Sequence, residues 1–444
     1  MKADFLKYLP LFLMHRLEKS HGLRLIVSNT GWMIADKIVR MGVGLYVGIW
    51  IARYLGPEKF GSLSYAQAFV ALFSSLSALG LDGIVVRNIV RNPGERDEIM
   101  GSAFLLRLMA GATSIVIVIG AIIFSRPDDP ATCQLVAVIS LGMIFQAFDT
   151  IDYLFQSQIL SKYSIWPKNA AFLFTSAIKL YFVTKGAPLI AFAWVGVVES
   201  VVGSCGLLIT YRFSGNLLSS WSSSRLRMKS LLADSWPLIF SGIVIMIYMR
   251  IDQIMLGNMS GKKEVGIYAV AVGLAEAWYF VPGTIVTSVF PHIVKASAEN
   301  NEIFNGRLQQ LYNLMALLGF LVALPATFLA GWVVETLYGT AYAKAGPMLA
   351  VLVWAGIFVN LGIARSTFLT AMNWTRLHFI TVAMGCFVNV VLNCLLIPRY
   401  GGMGAVIASC VAYWFAAHGV CFLYRPLFRT GIMMTKALLY PKVW

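Results

Sequence analysis

Apolar residues run along this chain in long blocks separated by short polar breaks. Twelve blocks, at roughly 27–52, 60–86, 101–124, 132–157, 165–185, 188–211, 231–257, 265–290, 307–330, 345–371, 377–397 and 402–424, are each long enough to form a helix across about 30 Å of hydrocarbon. Ten-residue segments of alternating polarity, the mark of a membrane β-barrel, do not occur. The pattern predicts an all-α polytopic membrane protein of about 12 transmembrane helices.

The longest polar connection, RFSGNLLSSWSSSRLRMKS at 212–230, is basic and Ser-rich and divides the blocks into two sets of six. The expected organisation is an interfacial N-terminal segment at 1–26, a six-helix lobe at 27–215, a linker at 216–230, a second lobe at 231–424 and a tail at 425–444. Across the linker, KFGSLSYAQAF at 59–69 resembles EVGIYAVAVGL at 264–274, and GAPLIAFAWVG at 186–196 resembles GGMGAVIASCV at 401–411. Six spans per half is an even number, so repeated halves would share one topology, related by a pseudo-two-fold axis along the membrane normal.

Composition narrows the class further. With 59% hydrophobic and 12% charged residues the chain is too apolar for a soluble protein. The net charge of +15 does not point to nucleic acid, because the cations sit mostly between apolar blocks rather than on a soluble basic face. Alternate connections carry 21 and eight of the 35 Lys and Arg residues, which predicts both termini in the cytoplasm. The six cysteines all fall in apolar segments without metal-ligand spacing, so no metal is expected. Nor is a catalytic residue: the histidines are scattered, no nucleophile elbow or Walker sequence occurs, and the loops are short, so the chain is expected not to be an enzyme.

Ionisable residues within the blocks are the candidate functional groups, since each costs a few kcal/mol in a bilayer unless it faces a cavity or a partner. Lys37, Arg40, Lys179, Arg250 and Arg365 are expected to line a cationic cavity between the lobes that receives an anionic head group. Asp36, Asp149, Asp152, Glu199, Asp252 and Glu276 are expected to neutralise those cations or to carry a coupling H+ or Na+. Asp36 and Arg40 are four residues apart and can pair on one helix face. Asp82, Arg107 and Asp234 read as interfacial, and Asn389 and Asn393 as helix-packing groups.

Two stretches resemble a known family: IARYLGPEKFGSLSYAQAFVALFSSLSALGLDGIVVRNI at 51–89, and MRIDQIMLGNMSGKKEVGIYAVAVGLAEAWYFVPGTIVTSVFPHI at 249–293. Both are similar to the polysaccharide flippases of the multidrug, oligosaccharidyl-lipid and polysaccharide exporter superfamily. The resemblance implies a two-lobed fold with a cationic lumen that moves undecaprenyl-pyrophosphate-linked glycan repeat units outward for O-antigen, capsule or related polymers. It also implies polysaccharide polymerase and chain-length machinery as partners, and places Arg250 and Asp252 in the family's RxD pair. Related lipid II flippases usually carry two further spans. A cation-coupled multidrug exporter of the same fold is the alternative, favoured by an acidic cavity, and a membrane glycosyltransferase or polymerase a more distant one.

Overall fold

The computed structural model describes residues 21–299, 301–372 and 374–442. Most of the expected N-terminal segment, residues 1–20, therefore lies outside the described residues. Among those described, secondary structure is helical throughout, with short 3₁₀ turns and no strand.

The N-terminal half contains α1 (His21–Leu72), α2 (Ser74–Ala78), α3 (Asp82–Arg91), α4 (Arg96–Ser125), α5 (Pro130–Ser140), α6 (Gly142–Phe145), α7 (Asp149–Ser157), α8 (Lys162–Lys185) and α9 (Leu189–Phe213). The second half contains α10 (Arg225–Met259), α11 (Lys262–Glu276), α12 (Phe280–Glu299), α13 (Asn301–Tyr338), α14 (Ala345–Ala371), α15 (Thr375–Tyr400), α16 (Gly402–Ala417) and α17 (Phe428–Leu439). The last basic residues of the predicted linker are already helical, because α10 starts at Arg225.

Ten segments among the described residues are long and apolar enough to cross a membrane. The other two crossings have physical causes for escaping that test. The 52 residues of α1 are two spans merged across a kink at Gly56, whose φ of 69° and ψ of 170° are accessible essentially only to glycine. The 24 residues of α8 carry Lys168 and Lys179, which lower its mean hydropathy. The fold is thus a multi-pass bundle of about twelve spans in two six-helix lobes.

Within the first lobe α8 packs on α9 and α1, and α4 on α5; in the second, α13 packs on α14, α14 on α16, and α15 on α16 and α10. The seam between the lobes is made mainly by α1 and α10–α11. At the end of the bundle with few basic residues, the α1 hairpin meets the α10–α11 hairpin in near-symmetric fashion. A Cβ on Gly61 would enter the Lys262 carbonyl and stand 2.8 Å from the Gly266 nitrogen, while one on Gly266 would enter the Pro57 carbonyl and stand 3.0 Å from the Gly61 nitrogen. Pro57 corresponds to Lys262 and Gly61 to Gly266 in the repeat, so equivalent residues of the two halves face each other. Gly261, which corresponds to Gly56, shares its positive φ (90°, ψ 170°). The predicted internal repeat is therefore present in three dimensions, and its axis passes through a backbone-to-backbone contact that only glycine allows.

Toward the basic end the seam differs on its two sides. On one, α10 lies against the first lobe, with Gly242 facing Ser75, Gly80 facing Leu238, and Arg87 paired with Asp234. On the other, the early part of α1 turns to α8, with Trp32 against Trp166 and the Arg40 guanidinium 5.2 Å from the Phe172 ring, while α12 packs on α13 and α14.

Candidate functional site

The intramembrane charges gather into three groups: half-buried pairs, a buried polar cluster in the second lobe and a buried network in the first. The pairs involve three of the five predicted cavity cations. Arg40 donates to Asp36 at 2.9 Å, Lys179 to Glu199 at 3.3 Å, and Arg250 lies 3.8 Å from Glu276. Their side chains are 21–33% exposed, so each pair is reachable yet partly desolvated. Thr175 also donates to Glu199, holding that carboxylate against α8. Lys37 is exposed and has no ion-pair partner among the described residues.

Three of the expected cavity cations thus face a carboxylate, the neutralisation expected of Asp36, Glu199 and Glu276, which attraction at low dielectric favours. One expectation needs correction. Arg365 does not line a cavity at all. It is 2% exposed and donates to the Ala417 carbonyl at 2.9 Å and the Thr381 hydroxyl at 2.8 Å, with Cys421 Sγ at 3.7 Å, so it ties α14 to α15 and the end of α16.

Arg250 and Asp252 also part company. Successive helical residues at this spacing diverge, and Asp252 turns into the second lobe, where it is 4% exposed. There it accepts from Asn393 Nδ2 at 2.6 Å, from Tyr268 at 2.9 Å and from the Ser409 hydroxyl, while Asn393 donates also to Asn389. The two asparagines read as packing groups thus orient a carboxylate from α10. Beside it lies a space of about 10 Å³ bordered by Glu276, Tyr279 and Tyr413, room for about one water. Among the described residues, Asp252 faces only neutral donors and no cation in direct contact.

The first-lobe network centres on Arg107. Read from sequence as interfacial, it is in fact 2% exposed, eleven residues into α4. It lies 3.7 Å from Asp82 and 3.6 Å from Asp149, and donates to Tyr153, whose hydroxyl in turn donates to Asp82. Asp149 and Asp152 share Lys168 at 2.9 Å each, which joins α8 to the network. The network sits where two spans break at one level: α1 gives way to α2 and α3 through Leu79 and Gly80, both at positive φ, and α5 gives way to α6 and α7. Ser77 donates to Gln146 across the two breaks at 2.6 Å.

At the sparsely basic end a polar latch flanks the glycine contact. Lys262 pairs with Asp129 at 2.7 Å across the lobes. Arg126 donates to Asn258 Oδ1 at 2.8 Å and to the Gly257 carbonyl, and stacks 4.3 Å from the Tyr65 ring. Burial alone raises the Asp129 carboxyl, but hydrogen bonds from Lys262 and Thr132 outweigh it and hold the group at about 2. Tyr342 adds a bond from the second lobe to the Ala52 carbonyl at 2.8 Å. The lobes are therefore locked at one end, with half-buried charges between that lock and the opposite end.

The chain is similar to known proteins. The relative named "Probable flippase AglR" of Haloferax volcanii is 24% identical over 383 residues, covering 83% of this chain and 76% of that protein. The "Capsular polysaccharide biosynthesis protein CapF" of Staphylococcus aureus is 19% identical over 91% of this chain and all of its own length. Among solved structures, the inward-facing conformation of a multidrug resistance MATE family transporter of the MOP superfamily superposes with a TM-score of 0.72 at 17% identity, covering 89% of this chain and 96% of that one. The family model described as "Polysaccharide biosynthesis protein" matches residues 26–297, from the start of the first span through α12. That match holds both motif stretches and the glycine contact between them, and by it the chain belongs to the polysaccharide biosynthesis protein family.

Proposed function

We propose that the protein is a flippase that carries lipid-linked oligosaccharide units across the bacterial inner membrane by alternating access, acting as a transporter and not as an enzyme. The observation that carries this reading is the arrangement of charges within this family's fold: two repeated lobes touch through glycines at one end, and each lobe holds half-buried charge pairs within the depth of the bundle. A glycan needs a wet passage, whereas a prenyl tail can stay in lipid alongside, and a seam between lobes serves both. The names of AglR and CapF support a flippase in polysaccharide assembly.

The finer assignment is undecaprenyl-pyrophosphate-linked repeat units for O-antigen, capsule or related polymer, with polymerase and chain-length proteins downstream. The lysine and arginine count supports cytoplasmic termini, which makes the latched end the outer one. The pairs then act by exchange. Arriving pyrophosphate replaces Asp36, Glu199 or Glu276 at its cation, assisted by the exposed Lys37. Protonation of Glu199 or Glu276 releases Lys179 or Arg250, which offers H+ as a coupling ion; the neutral-donor cluster at Asp252 offers a place for H+ or Na+.

A deletion strain tests the reading. Surface glycan is expected to vanish while lipid-linked repeat units accumulate on the cytoplasmic leaflet. Normal surface glycan in that strain, with lost efflux of a cationic dye, would instead favour the drug-exporter alternative.

A further inference from the structure

Away from the seam, the basic end of the first lobe contains a cavity of about 520 Å³ that the transport route does not use. It forms because α8 and α9 approach most closely one turn deeper, where a Cβ on Gly206 would stand 2.7 Å from Pro167. Beyond that contact, Thr210 and Phe213 of α9 face Tyr163 of α8 across open space. The floor is Phe155, 1% exposed, its ring 5.6 Å from that of Tyr163.

One wall is built at a conformational cost. Ile159, a β-branched residue, sits at φ 60°, where such residues rarely occur. The turn is held there by Leu160 N–H on the Phe155 carbonyl (2.8 Å) and Ile159 N–H on the Gln156 carbonyl (3.0 Å), the bonding of a helix terminus that usually recruits glycine. The result sets Gln158 and Leu160 on the cavity wall.

The charge at the cavity is positive. Arg96 enters it with Nε bonded to Asp97 at 3.1 Å, leaving both terminal nitrogens without a partner among the described residues. Lys162 does not line the cavity but neighbours Tyr163, which does, and holds its ammonium 4.8 Å from that ring. The neighbouring acids Glu95 and Glu98 are occupied by Arg227. Apolar side chains continue from the mouth along the bundle's outer surface: Phe213 is 88% exposed, Ile209 56% and Trp166 59%.

A free guanidinium, an ammonium, amides and a hydroxyl around a hollow, above a lipid-facing apolar strip, match an amphiphile with an anionic, hydroxyl-bearing head. We propose that this cavity binds the headgroup of an anionic phospholipid of the phosphatidylglycerol type, its phosphate on Arg96 and its acyl chains along Phe213, Ile209 and Trp166. The same cavity is walled by Ser214, which ends α9, and by Asn216, the first residue of the inter-lobe linker. That linker is pinned nearby, Trp221 Nε1 on the Tyr211 hydroxyl at 2.7 Å and Ser224 N–H on Ser102 at 3.2 Å. A seated lipid therefore braces the connection between the lobes.

The test is native mass spectrometry of delipidated full-length protein titrated with phosphatidylglycerol, phosphatidylcholine or glycerol 3-phosphate. The expected result is one retained phosphatidylglycerol, preferred over phosphatidylcholine by at least about tenfold, because both lipids carry the phosphate but the choline cation of the latter meets Arg96 and Lys162 with like charge. Arg96→Gln is expected to abolish the preference, Arg96→Lys to keep part of it, and Arg429→Gln, at an exposed cation on α17, to keep all of it. Thr210→Trp, which fills the hollow and leaves the charge, is expected to lose the lipid as well. Retention by Arg96→Gln or by Thr210→Trp, equal loss in Arg429→Gln, or displacement by equimolar glycerol 3-phosphate would each overturn the proposal.

Discussion

Replacing Gly266 by alanine is expected to push the lobes apart at their latched end. The added Cβ would overlap the Pro57 carbonyl and lie 3.0 Å from the Gly61 nitrogen, both backbone atoms of the opposite lobe that cannot rotate away. Each lobe keeps its own packing, so relief comes from separation at the seam. Overpacking of this kind costs about 1–3 kcal/mol. Charged to the latched state alone, it shifts the balance between latched and opened forms by roughly 5- to 150-fold. The assay is labelling of Ala52→Cys by a membrane-impermeant maleimide in a background lacking the six native cysteines. Ala52 is fully buried behind Tyr342 in the latched form, so its labelling rate reports opening. Gly283→Ala, where a Cβ meets nothing within 4 Å, is the control and should label like the parent. A Gly266→Ala rate within twofold of the control, with an unchanged melting temperature, would refute the idea that this contact holds the seam shut.

Other outcomes follow from the charges. The Asp129 carboxyl sits at about 2 when latched and rises when the lobes part, so its pair with Lys262 favours the latched form above the ordinary carboxylate range and fades only as pH falls toward 2. Maleimide labelling of the Ala52→Cys variant, ratioed to an exposed reference thiol, should be flat from pH 8 to 5, and adding Asp129→Asn should raise it by no more than about fivefold, as for a partly exposed pair. Arg365→Ala should lower the detergent melting temperature and the yield, because it leaves a cavity and removes a charged donor from the buried Ala417 carbonyl and Thr381 hydroxyl, a loss of about 3 kcal/mol; unchanged melting would argue that Arg365 is not a strut. Arg40→Ala should cost less than about 1 kcal/mol of stability yet abolish glycan export, and full export would make its pair purely structural. Glu276→Gln should leave the protein in the membrane while flattening the pH dependence of transport; an unaltered profile would remove Glu276 from coupling.

Much of the architecture was legible because lipid enforces long apolar blocks. The repeat was legible because Gly61 and Gly266 occur in matching contexts, although nothing in the sequence said that they touch. Local pairing was readable where four residues separate the partners, as for Asp36 and Arg40. It was unreadable where the partner arrives from another span. Glu199 and Glu276 have no cation close in sequence, and which cation each meets could not be read, because Lys179 lies 20 positions and Arg250 26 positions earlier in the chain. Arg107 was misread for the same reason, since its acids come from positions 82 and 149, on the far sides of two helix breaks. Arg365 was placed on the wrong side of α14 because an evenly apolar helix gives no periodic signal of which face meets neighbours.

The unusual polarity of α8 bears on how the chain is made. Two lysines would resist transfer of this helix from the ribosome exit into lipid by itself. Lys168 finds its carboxylates in α7, already synthesised, but Lys179 finds Glu199 only in α9, which has yet to emerge. Insertion of α8 is therefore expected to be easier together with its successor, the two leaving the translocon as a hairpin in which Lys179 is already neutralised.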